Sequence, residues 1–100
     1  MRLYHRTTHD AAQGILRDGF RNGAGRYMTD QEWQGVWLSD VPIDPHGGPS
    51  GDMLLAVDLN LSEKAIAEYE WKEAGKGYRE WLIPAELINA NVKNVTRTTD

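Results

Sequence analysis

The sequence predicts an α+β domain: a mostly antiparallel, split β-sheet with one main helix after the first strand. Two observations predict it. THDAAQGILRDG (8–19) carries helical spacing and end signals, whereas several short apolar or β-branched runs read as strands. Helices do not alternate with those strands, which argues against a doubly wound nucleotide-binding fold. A chain of 100 residues makes one minimal domain, 1–100, with a single core.

The elements follow in order. RLYHR (2–6) sets Leu3 and His5 on one side and Tyr4 on the other, a first strand. In the next stretch Thr8 caps a helix, Asp10 favours its positive end, and Gly19 fits the position just past its close. Ala11, Ala12, Ile15 and Leu16 are expected on the face that lies on the sheet, and Phe20 continues into the core. Residues 21–34 have early turn residues and no clean period, so a loop with a helical turn near TDQEW is expected. GVWLSD (35–40) reads as a second strand, VPIDPHGGPSGD (41–52) as an irregular loop, and MLLAVDL (53–59) as the clearest strand. LSEKAIAEYEW (61–71) reads as a turn followed by a strand; EAGKG is a connection. GYREWLIP (77–84) reads as a strand, PAELIN as a helical turn opened by Pro84, and VKNVTRTT (92–99) as a last strand.

Composition narrows the classes of function. The chain is 40% hydrophobic and 26% charged, in the ordinary range for a globular protein. No apolar run approaches the roughly 18 residues of a membrane span. MRLYHRTTHD lacks the apolar core of a secretory signal, so a cytoplasmic protein with no membrane partner is expected. With no cysteine, disulfides and thiolate metal sites are excluded. A net charge of −4 argues against whole-molecule attraction to nucleic acid.

Few motifs carry chemistry. Ser39, Ser50 and Ser62 stand in no GxSxG, which argues against a hydrolase elbow. A break between strand and helix separates His5 from His9, so these with His46 and Asp10 or Asp44 make a poor metal set, and no metal is expected. No GxxxxGK[ST] phosphate loop exists. The residue out of place is Glu80, a carboxylate leading the buried run Trp81-Leu82-Ile83. Facing solvent at a sheet edge is the ordinary explanation; facing a cleft is the other.

LYHRTTHDAAQGILRDGF, GVWLSD, DMLLAVDL and YREWLIPAELIN, in that order, resemble the ADP-ribosyltransferase superfamily, over about residues 2–95. The branch is the His-Tyr-Glu one, that of the poly(ADP-ribose) polymerases and diphtheria toxin. Its first strand reads Tyr/Trp-His-Gly-Thr/Ser before a helix, its second Gly-Ile-Tyr-Phe-Ala-Asp, and a late Asn-Glu-Tyr-Ile-Val-Tyr strand carries the catalytic Glu. The resemblance implies that NAD is consumed as substrate, by transfer of ADP-ribose to an acceptor (protein, nucleic acid or small molecule) or to water. It implies Glu80 and His5 as catalytic residues, and His5, Arg6, Thr7, Trp37 and Ser39 as the NAD-binding set. His5 would bond the ribose hydroxyls, the Arg6 backbone would grip the carboxamide, Trp37 would stack on nicotinamide, and Glu80 would bind the ribose 2′-hydroxyl. Arg6, Arg21 and Arg26 are the candidates for the pyrophosphate.

Two departures qualify the likeness. Arg6 stands where the family has Gly, and Gly/Pro-rich residues replace a second tyrosine, unless Tyr27, Trp33 or Tyr69 folds over the ring. Without a long acceptor loop, single transfer or NAD hydrolysis is expected rather than chain building, in a role such as a bacterial or phage toxin or effector. The tRNA 2′-phosphotransferases share the fold, with Val-His-Leu-Ser where this chain has Val36-Trp37-Leu38-Ser39, so their activity is one alternative. A non-catalytic NAD-binding or interaction module is the other.

Overall fold

A computed structural model describes residues 1–26, 32–43, 53–72, 75 and 77–98, with 23–26 and 32–34 described by their backbone alone. Strand β1 (Arg2–Thr7) leads into helix α1 (His9–Asp18), then strands β2 (Gly23–Arg26), β3 (Glu32–Ser39) and β4 (Met53–Leu59). A 3-10 helix (Lys64–Tyr69), β5 (Glu70–Trp71), β6 (Glu80–Ile83), helix α2 (Ala85–Asn91) and β7 (Val92–Thr98) complete the described elements. Six strands lie side by side in the order β5-β6-β3-β1-β4-β7, and β2 pairs with β3 off that path. Every described pairing is antiparallel. The fold is thus a small α+β domain on an antiparallel sheet.

Register decides which residues share a face. Leu3 pairs with Val57, His5 with Leu55, and Leu38 with Trp81. These belong to the helix-covered face, where Leu3, Leu38, Leu55, Val57, Trp81 and Ile83 are buried with Ala12 of α1, Ile66 of the 3-10 helix and Ile88 of α2. Tyr4 pairs with Ser39, and Ser39 with Glu80, so these three stand on the reverse face together with Arg6 and Trp37. β1 matches β4 along its whole length but shares only the Tyr4–Ser39 pair with β3. The sheet is therefore thinly joined at its centre.

The ends of α1 behave as their residues dictate. Thr8 has extended backbone, and its hydroxyl accepts from the Ala11 N–H at 3.2 Å. Gly19 ends the helix at φ 92°, where a side chain is strained, and its N–H bonds the Ile15 carbonyl at 2.9 Å. Pro84 has no side-chain oxygen with which to cap α2, and Asn22 supplies one instead, its Oδ1 accepting from the Ala85 N–H at 2.8 Å. Gly35 answers a close approach: a Cβ there would stand 3.0 Å from Leu82 carbons and 3.1 Å from the Ile83 carbonyl.

Four expectations are corrected. Within 21–34, residues 23–26 form β2 and residues 32–34 already belong to β3, so the loop reading fails there. Cross-strand pairing with a partner of no clear periodicity produces this hairpin, and local pattern misses it. AIAEY coils as a 3-10 turn after Ser62, whose hydroxyl accepts from the Ala65 N–H, and only Glu70–Trp71 is strand. On α1, Ala12 is buried and Ile15 packs against the core, but Ala11 and Leu16 are exposed, the latter by 41%. The helix therefore meets the sheet along a narrower stripe than its apolar content suggests. Pro84 takes the capping position rather than the first helical one.

Candidate active site

The helix-covered face does not close completely. Between α1, the end of β1 and the middle of β3 lies a mostly apolar cavity of about 390 Å³, lined by His5, Thr7, Gly14, Phe20 and the 35–37 segment. Arg17, Asp18 and Arg21 also line it. Its size is that of a small-molecule site.

His5 is fixed inside this cavity. Its Nδ1 stands 2.7 Å from the Trp37 carbonyl oxygen, so Nδ1 carries the proton and donates. That contact spans the thin junction between β1 and β3. The Phe20 ring and the imidazole form a T-shaped pair, their centres 5.7 Å apart and their planes at 75°. Burial pushes the His5 pKa below its ordinary value, the bond to Trp37 opposing it only in part. The ring is therefore neutral near pH 7, with Nε2 as a lone-pair acceptor, suited to receive a hydrogen bond from a sugar hydroxyl.

The reverse face holds a separate and much tighter cleft, about 10 Å³, where Tyr4, Arg6, Trp37, Ser39, Ile43 and Glu80 meet. Arg6 and Glu80 are buried, at 5% and 7% exposure. Arg6 Nε donates to the Ile43 carbonyl, which ties Ile43 to the cleft. Ser39 Oγ donates to the Val41 carbonyl at 2.7 Å. The Trp37 ring meets Trp71 edge-on at 5.7 Å.

The expected site residues thus fall into two groups. His5 and Thr7 line the large cavity; Arg6, Ser39 and Glu80 line the reverse cleft; Trp37 borders both. The structure does not bring the His5 imidazole and the Glu80 carboxylate into one pocket. Solvent exposure of Glu80, its ordinary fate, is excluded by its burial. Arg21 borders the cavity, Tyr69 packs on the core, and His9 bonds Gln13 at 3.1 Å. Tyr27, Asp44, His46 and Ser50, and the side chains of Arg26 and Trp33, lie outside the described residues. Arg79 bonds Glu70 twice at 3.0 Å and also Glu63.

Sequence reasoning missed Phe20 and Gly14 as cavity walls. Gly14, inside an amphipathic helix, was the available signal for a wall kept clear of side chains. Among the described residues no group of three or more metal-ligating side chains occurs, and no helix is long and apolar enough to cross a membrane. No protein-family model, no curated protein and no solved structure matches this chain.

Proposed function

We propose that the protein consumes NAD, breaking the nicotinamide–ribose bond and passing ADP-ribose to an acceptor or to water. The finer form of the fold belongs to the proposal: an ADP-ribosyltransferase-like sheet split between β1 and β3, supported by their single shared pair. The observation that carries the function is the cavity beside that junction, apolar enough for a base and holding a neutral imidazole with a free acceptor nitrogen. Arg21 on the same cavity provides a cation for a pyrophosphate, as does Arg17, whose Nε bonds Asp18 at 3.0 Å.

In the reaction the C–N bond to nicotinamide breaks, and its electron pair leaves with the ring as neutral nicotinamide. The ribose carbon becomes oxocarbenium-like and takes an electron pair from the acceptor, whose proton passes to a base or to water. His5 Nε2 orients the sugar by accepting from its hydroxyl. Glu80 supplies the negative charge that stabilises the cationic sugar. Because Glu80 stands on the reverse face, this role requires the nicotinamide end to pass the His5–Trp37 bond and the cleft at Glu80, about 10 Å³, to widen around it.

A nucleotide-binding module without catalysis is the second possibility, and one observation favours it: the His5 and Glu80 side chains line different pockets. Incubation with NAD, with free nicotinamide followed by chromatography and binding by calorimetry, separates the two. Release that falls roughly 10²-fold or more in Glu80→Gln supports the transferase or hydrolase. Binding without release makes the protein a binding module, and neither binding nor release ends the NAD proposal.

A further inference from the structure

The wall that α1 gives the cavity is lower than the fold requires. Gly14 sits inside the helix and lines the cavity. Helix interiors tolerate glycine worse than any residue except proline. Neither usual reason for a glycine applies here. Gly14 is not among the glycines of positive φ, and a Cβ built on it would meet nothing within 4 Å. Alanine would therefore suit the folded chain better than the residue present. What a side chain at 14 would occupy is the space of the cavity itself.

The features around that space describe what it takes. The cavity walls are mostly apolar, the Phe20 ring forms part of them, and His5 keeps its second ring nitrogen as an acceptor. We infer that Gly14 is a specificity-determining position, whose missing side chain leaves room for the planar heteroaromatic ring of a nucleotide-type ligand along α1. A bulkier residue at 14 excludes that ring without touching the fold. This deepens the assignment of the cavity as the ligand site and rests on it, but does not depend on the ligand being NAD or on Glu80 acting in catalysis.

The test uses wild type, Gly14→Ala, Gly14→Leu and, as a control on the exposed side of the helix, Gln13→Ala. Each is melted thermally and titrated with NAD, adenosine and indole, with amide chemical shifts locating the bound probe. Gly14→Ala is expected to raise Tm by roughly 4–8 °C. Gly14→Leu is expected to weaken binding of the ring at least 10-fold with the fold intact, and Gln13→Ala to leave affinity unchanged. Binding of adenosine or indole but not NAD, lost in Gly14→Leu, keeps this inference while removing the NAD proposal. A folded Gly14→Leu that binds as wild type overturns the inference, as does a wild type in which no probe shifts the cavity amides. Should Gly14→Leu fail to fold, Gly14→Ala decides: weaker binding at raised Tm upholds the assignment, and unchanged binding removes it.

Discussion

Asn89 holds Phe20 by both of its backbone polar groups: Oδ1 accepts from the Phe20 N–H and Nδ2 donates to the Phe20 carbonyl, each at 2.9 Å. A side-chain amide carries a donor and an acceptor side by side, so it can satisfy both backbone groups of one residue at once. Through this clamp, helix α2 sets the aromatic ring that meets His5. The neighbouring bond from Ala85 N–H to Asn22 repeats the tie in the opposite direction, loop side chain to helix backbone.

Removing the clamp should be felt in stability and in the cavity alike. Asn89→Ala is expected to cost roughly 1–2 kcal/mol by denaturant unfolding, since two bonds are lost and alanine returns a little helix propensity. Asn89→Asp keeps the acceptor for Phe20 N–H and loses the donor, so an intermediate loss is expected. Equal stability of all three proteins would show the clamp to be idle.

Stability should fall with acid because of His5. Its pKa is lowered in the folded protein from an ordinary 6.5, so below that value the unfolded chain binds a proton that the folded one resists. Stability from the neutral imidazole is thus present above pH 6.5 and is lost as pH drops toward the folded value. Unfolding measured at pH 7.5 and 5.0 is expected to show a smaller difference in His5→Gln than in wild type.

Gly35→Ala is expected to destabilise by about 1–3 kcal/mol through overpacking. The added methyl would press on Leu82 and on the Ile83 carbonyl, and a backbone oxygen in a sheet cannot step aside as a side chain can. A thermal melt within a degree of wild type would contradict this.

Glu80→Gln should keep the fold, because the amide has the size of the carboxylate it replaces and retains one acceptor. Under the proposed reaction its expected loss is in nicotinamide release, by roughly 10²-fold or more. A variant that unfolds instead would assign Glu80 a structural part in the buried cleft beside Arg6.

Much of the local structure was legible in the residues. Thr8, Asp10 and Gly19 mark the ends of α1, and the bounds of MLLAVDL are those of β4, because caps and unbroken apolar runs act within a few positions. The β2–β3 hairpin was not legible, since GAGR has neither alternation nor strand propensity and is held by its partner. Nor was the bond from His5 to the Trp37 carbonyl, which joins residues 32 positions apart.

The sequence by itself determined which residues alternate within each strand, that one longer helix follows the first, and that a carboxylate leads a buried run. Only the tertiary structure decided that His5 faces α1 while Glu80 faces away from it. The reason is register: alternation has a period of two, so a slip of one position between neighbouring strands moves every side chain to the opposite face. Such pairings, Tyr4 to Ser39 and Ser39 to Glu80, are long-range choices made by the packing of the whole core.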